Sequence, residues 1–238
     1  VFASLFKNDA VYRKMVFALS KKEGGMSLEE LLSRLNAEKG GRWTRRLEEL
    51  EQCGFVRRYA GWGKKERDAR YQLIDNFTLF SMRFLHNAAN RDEHFWLHAT
   101  TGSAIRTWRG LAFERLCLLH VRQIKFALGV SGVLTYEYAW NHRSDGDRQG
   151  GAQIDLVIDR ADNVVNVCEM KFTDKPFEIS KKYAAELTDK IETFRDVCSV
   201  KKSIFLTFVT SAGLADNAQR NMVQSEVTLD DLFTNFAE

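Results

Sequence analysis

Gln153-Ile154-Asp155-Leu156-Val157-Ile158-Asp159, a turn at 160–163, and Val164-Val165-Asn166-Val167-Cys168-Glu169-Met170-Lys171 read as a β-hairpin with three charges on one edge. The side-chain period of a strand is two, so Glu169 and Lys171 project from one face of the second strand. Glu and Lys are poor strand formers, and Asp155 repeats the cost inside an apolar run. These positions therefore suit chemistry. Mg²⁺ takes hard oxygen ligands, usually one or two carboxylates plus waters and substrate phosphate oxygens, and Asp155 and Glu169 are of that type. An ammonium beside them, Lys171, would orient water or stabilise charge on phosphorus. The reaction implied is phosphodiester hydrolysis. The alternative is a structural ion pair between strands, worth a few tenths of a kcal/mol.

Asp155 followed by Glu169-Met170-Lys171 resembles the PD-(D/E)xK nucleases, although Ile154 stands where the signature has Pro. That resemblance implies a further Glu in the preceding helix, and Trp108 to Arg115 (WRGLAFER) offers Glu114. It also implies Mg²⁺ or Mn²⁺ held by Asp155, Glu169 and Glu114, with Lys171 completing the catalytic set.

A wider resemblance runs through Trp108 to His120 (WRGLAFERLCLLH), Gln123 to Gly129 (QIKFALG), Gly151 to Arg160 (GAQIDLVIDR), Cys168 to Phe172 (CEMKF) and Asp230 to Phe233 (DDLF). These stretches look like the carboxy-terminal region of prokaryotic DEXX-box ATPases of the AAA type, in which a winged-helix segment precedes a nuclease-like domain. What this implies is a partner ATPase domain upstream in the same polypeptide. No G-x-x-x-x-G-K-[ST] occurs, and Gly63-Lys64 is followed by Lys65, so no ATP site is expected in this sequence. With Val1 rather than Met at its start, the chain is expected to be the carboxy-terminal part of a longer ATPase.

At 238 residues and 45% hydrophobic content, two small domains with compact cores are expected. Cys53, Cys117, Cys168 and Cys198 are scattered, which argues against zinc and a disulfide scaffold and favours a reducing cytoplasm. Without a run of eighteen apolar residues, membrane insertion is not expected.

The net charge of +3 is small, but from Lys39 to Tyr71 ten basic residues face five acidic ones, against eight and eleven from Phe172 to Glu238. The basic stretch lies in a winged-helix pattern over residues 1–75. Asp9 to Ser20 is helically periodic, and Ser27-Leu28-Glu29-Glu30 has capping-box spacing. Trp43, Leu47 and Leu50 fall on one face of a third helix, and Gly54 suits its C-cap. Phe55 to Tyr59 and Arg70 to Leu73 read as strands flanking a polar wing. A DNA-binding role would place Arg42, Arg45 and Arg46 of the third helix, and Lys64, Lys65 and Arg67 of the wing, against nucleic acid. The alternative is a solvated face of i,i+4 pairs that packs against other domains.

Residues 76–102 read as a helical connector, where His94 and His98 have i,i+4 spacing without a third ligand. Residues 103–238 have the order α-β-β-β-α-β: helix Ser103 to Leu128, strand Val133 to Trp140, the two hairpin strands, helix Ser180 to Val197 and strand Ser203 to Val209. A last helix is expected near Leu214 to Val223. The fold class expected is α/β (α+β), a winged helix followed by a restriction-endonuclease-like domain with a mixed sheet. Gln153 shares a strand face with Asp155, and the polar loop Asn141 to Gly150 lies beside that strand. Lys182 and Tyr183 open the following helix, either as phosphate contacts or as surface residues. The function expected is divalent-metal-dependent hydrolysis of DNA. The alternative is a catalytically inactive nucleic-acid-binding or regulatory module of the ATPase.

Overall fold

A computed structural model of the chain describes residues 2–65, 68–85, 94, 98, 102–142 and 151–235. The chain is mixed α/β and divides into two compact units, Val1–Leu97 and His98–Glu238. No described helix is long and apolar enough to cross a membrane.

The first unit runs α1 (Phe2–Leu5), α2 (Asp9–Leu19), β1 (Met26–Ser27), α3 (Leu28–Leu35), α4 (Gly41–Gln52), β2 (Val56–Gly61) and β3 (Arg70–Leu73). β3 lies between β1 and β2, antiparallel to both. The expected capping box starts α3: Ser27 Oγ accepts from the Glu30 amide at 3.1 Å, and Glu30 Oε2 accepts from the Ser27 amide at 3.0 Å. α4 stops where its sequence says it should. Gly54 takes φ +75°, its amide reaches Glu51 O at 2.9 Å, and the Phe55 amide reaches Leu50 O at 3.0 Å, a Schellman turn that drops Phe55 onto Leu50 in the core. That core joins Met15, Leu19, Met26, Leu31, Leu47, Leu50 and Tyr71, with Trp43 partly buried against it.

Residues of the expected connector form α5 (Asn76–Phe80), capped by Asp75 at the Thr78 amide, and a π turn (Ser81–Leu85). Positions 86–93, 95–97 and 99–101 of that connector, Arg67, and residues 143–150 of the polar loop lie outside the described residues.

In the second unit the expected single helix is two, α6 (Ser103–Leu119) and α7 (Val121–Ala127). The break falls at His120, whose backbone leaves the helical region (φ −112°, ψ 29°) and whose ring Nδ1 lies 2.8 Å from Leu116 O. Then come β4 (Thr135–His142), β5 (Ala152–Arg160), β6 (Val164–Lys171), α8 (Lys181–Val197), β7 (Ser203–Thr210) and β8 (Ser225–Thr228). Their sheet order is β4-β5-β6-β7-β8, antiparallel across the first two pairs and parallel across the last two. The parallel β6–β7 step requires a crossover, and α8 supplies it.

The expected helix at Leu214 to Val223 is replaced by a 3₁₀ turn (Ala218–Met222), followed by β8 and a second 3₁₀ turn (Asp230–Phe233). Asn217 caps the start of that turn, its side chain accepting from the Arg220 amide at 3.1 Å. β8 has only Val227 fully buried, too little alternation to be legible.

Helices cover both faces of this sheet. Phe113, Cys117 and Ile124 pack with Leu156, Ile158, Cys168, Met170 and Val209 on one side; Ile179 and Leu187 pack with Leu206 and Phe208 on the other. Double coverage is why β7 reads as the near-continuous apolar run Ser203–Thr210.

Candidate active site

β6 places the site. Its neighbours Cys168 and Met170 point into the α6 side of the core, so Glu169 and Lys171 project toward α8. There the Tyr183 hydroxyl donates to Glu169 Oε1 at 2.5 Å, Lys171 Nζ stands 2.9 Å from the same oxygen, and Lys190 Nζ lies 2.9 Å from Oε2. The Lys171 ammonium also sits 5.0 Å from the centre of the Tyr183 ring. The Glu169 side chain is only 13% exposed. Burial works to raise its carboxyl, but Lys171, Lys190 and the Tyr183 hydroxyl outweigh burial and hold it below the usual carboxylate range. Burial and the Glu169 charge in turn push the Tyr183 hydroxyl above an ordinary phenol.

Asp155 sits in an irregularity of β5. Tyr138 pairs with Val157 and Trp140 with Ile154, so one residue of β4, Ala139, opposes two of β5, Asp155 and Leu156. Such a bulge breaks the alternation and re-aims the side chain at that point. Gln153, two residues back, donates to Asp155 Oδ1 at 2.6 Å.

Glu114 comes from α6, which is fastened over the end of β6. Arg109 pairs with Asp174 at 2.7 Å and lies 4.5 Å over the Phe172 ring, and Phe113 meets Phe172 edge-on at 5.9 Å. Burial and then the Asp155 carboxylate raise the Glu114 carboxyl to about 7, against smaller opposing pulls from Lys171 and Arg115. Two carboxylates in a half-dry site that repel each other have the donor chemistry a hard divalent cation satisfies. Among the described residues, however, no three His, Cys, Asp or Glu side chains are gathered closely enough to hold a metal ion.

Asp155 of β5 and Glu169 and Lys171 of β6 thus lie near enough for their charges to act on Glu114 of α6. Lys190 was not singled out from the sequence, yet Tyr183, Leu187 and Lys190 follow one another at helical intervals of four and three, with Leu187 buried in between. Of the pair at the start of α8, Tyr183 enters the site and Lys182 stays on the surface, 3.8 Å from Glu186. All four cysteines are free thiols, and Cys117 and Cys168 are core residues.

In the first unit, Arg42 and Arg45 are exposed on α4. Arg45 pairs with Glu49 at 3.2 Å, and the Arg46 guanidinium lies 5.2 Å over the Trp43 ring. Lys64 and Lys65 are exposed in the turn after β2. This unit also has a cleft of about 530 Å³ lined by Phe2, Phe17, Phe55 and Phe77. Its ionic groups are already engaged, Arg13 with Asp9 and Asp75 with the α5 amide. No family model matches the chain, and neither a curated protein nor a solved structure does.

Proposed function

We propose that the second unit is a restriction-endonuclease-like domain that hydrolyses DNA phosphodiesters with Mg²⁺ or Mn²⁺, in the carboxy-terminal part of an AAA-type ATPase. The first unit is then a winged helix that contacts duplex DNA through α4 and the β2–β3 turn. One observation carries this reading: Glu169 and Lys171, 2.9 Å apart, share one face of β6, next to β5 with Asp155, and Glu114 of α6 is a largely buried carboxyl raised first by that burial and then by Asp155. A structural ion pair between β5 and β6 gives no reason for a further carboxylate, from a helix, to be buried beside it.

When bound, a divalent cation supplies a Lewis acid that polarises the phosphoryl group and acidifies water. Asp155, Glu114 and Glu169 would supply its hard carboxylate oxygens. Gln153 holds Asp155 Oδ1, which fixes the carboxylate's orientation. Lys171, 2.9 Å from Glu169, would hold a phosphate oxygen as a new P–O bond forms and the old one breaks. The test is plasmid nicking with Mg²⁺ or Mn²⁺. Asp155→Asn, Glu169→Gln and Lys171→Met should each lower the rate about a hundredfold or more. Nicking that persists in these variants, or fails in the unaltered protein, overturns the reading.

A second reading has its own support. Glu169 is already satisfied by two ammonium groups and a hydroxyl, as in a domain that keeps the fold as a non-catalytic binding or regulatory platform. Nucleic-acid binding that falls with salt and survives Glu169→Gln, without turnover, would favour it.

A further inference from the structure

The cleft of the first unit is walled by helical segments. Phe2 of α1, Phe17 of α2, Phe55 after α4, Phe77 of α5 and Met82 of the π turn line about 530 Å³ of concave surface, inside the range of about 300–1,000 Å³ for ligand pockets. Phe17 is 55% exposed and Phe77 66% exposed. A lone exposed phenylalanine means little, but two that open on one apolar concavity mark an interaction surface. The α1–α2 side of the cleft is basic: residues 1–22 carry Lys7, Arg13, Lys14, Lys21 and Lys22 against Asp9 alone. Arg13 pairs with Asp9 at 2.8 Å, and Lys22 with Glu30 at 2.8 Å. Lys14, Phe17 and Lys21 follow one another at intervals of three and four, and the Lys21 ammonium lies 4.3 Å over the Phe17 ring. Asp75, the acidic residue of the lining, accepts from the Thr78 amide at 2.7 Å.

We propose that this cleft is a docking groove for an acidic amphipathic helix of a partner protein, a role separate from catalysis in the second unit. Leucine or aromatic anchors of the partner fill the space lined by Phe17 and Phe77, and its Glu or Asp residues face Lys14 and Lys21. A groove between helices receives a helix through anchors at i, i+3, i+4 and i+7, and Met82 adds a side chain that adapts to the shape it meets. A basic rim beside an apolar interior is complementary in charge to such a helix. Nucleic acid would also meet the basic rim, but its base edges would give up hydrogen bonds to water on entering. Both ionic side chains of the lining are already engaged, Arg13 with Asp9 and Asp75 with a backbone amide. Leucine and phenylalanine side chains give up none. Arg42, Arg45 and Arg46 stand outside the lining, so a helix docked here and duplex DNA on α4 use different residues.

The experiment is fluorescence anisotropy of a labelled peptide titrated with the full chain. The peptide has about fifteen residues, with Leu and Trp at i, i+3, i+4 and i+7 and Glu elsewhere. It should bind saturably, and a peptide of the same composition in scrambled order should bind at least about tenfold more weakly. Phe17→Ser and Phe77→Ser should each weaken binding about tenfold or more. Lys14→Glu combined with Lys21→Glu should weaken it about tenfold, and binding to the unaltered protein should fall as salt rises. Circular dichroism checks folding; if Phe17→Ser unfolds, Phe77→Ser, at the more exposed ring, decides. Absence of peptide binding, equal binding of the scrambled peptide, or undiminished binding in the folded variants overturns the proposal. Oligothymidylate binding that Phe77→Ser weakens, without peptide binding, also overturns it and makes the cleft a base-stacking surface. A dimer in sedimentation that Phe77→Ser dissociates, again without peptide binding, overturns it in favour of a second copy of the chain.

Discussion

The Tyr183 hydroxyl, at the start of α8, donates to Glu169 Oε1 near the end of β6 at 2.5 Å, tying the crossover helix to the most polar point of the central strand. Removing it in Tyr183→Phe should cost about 1–2 kcal/mol near neutral pH, the range for a hydrogen bond to a charged group in a partly buried setting. Glu169 is held below its ordinary value of 4.5, partly by this hydroxyl. That stabilisation is present above the unfolded carboxyl value and is lost as pH falls through the depressed folded one. The gap between variant and unaltered protein should therefore narrow in acid. Thermal melts at pH 7 and at about pH 3 decide it, and an equal gap at both would refute the electrostatic origin.

Glu114 has the opposite sign. Its carboxyl is raised from 4.5 to about 7 by burial and Asp155, so the folded state holds the proton more tightly than the unfolded chain. Its ionisation removes stability progressively as pH rises through that window. Glu114→Gln should melt with the unaltered protein at pH 4 and be more stable at pH 8, by about 1–2 kcal/mol after discounting for partial exposure. Denaturant titrations at both pH values check this, and a variant less stable at pH 8 would contradict the assignment.

Gly25 and Gly54 both adopt positive φ, but their surroundings differ. A Cβ on Gly25 would stand 2.6 Å from Tyr71 O in β3, whereas one on Gly54 meets nothing within 4 Å. Gly54→Ala should cost about 1 kcal/mol, the strain of a left-handed residue alone. Gly25→Ala should cost at least about twice that, because strand backbone must shift. Equal effects in urea unfolding would mean that the Gly25 turn relaxes freely.

Lys64 and Lys65 are exposed in the β2–β3 turn. If that turn contacts phosphates, Lys64→Gln with Lys65→Gln should weaken duplex binding without regard to sequence. It should also lower the slope of log K against log salt by about 2. Fluorescence anisotropy across a salt series measures it, and an unchanged slope removes the turn from any DNA interface.

The strand period alone identifies Glu169 and Lys171 as sharing a face, and the spacing of Ser27 with Glu30 and the position of Gly54 announce two helix ends. These are local properties, set by backbone geometry and by hydrogen bonds that span a few residues. The short β8 was not legible because it has too few apolar positions to form a pattern, and the break at His120 and the 3₁₀ turn after Asn217 rest on contacts of three or four residues that a helical apolar period running through them hides.

The same division runs through the candidate site. Sequence by itself determined which carboxylates and which lysine lie on the hairpin, and that Glu114 stands on a helix before it. Only tertiary structure decided that the register shift opposite Ala139 falls at Asp155, that burial and then Asp155 raise Glu114, and that Lys190 grips Glu169 across 21 residues of chain. Those outcomes depend on strand pairing and on which face of the sheet α8 covers. Charge interactions act through space in a partly dry interior, and no periodicity along one segment encodes what another segment brings beside it.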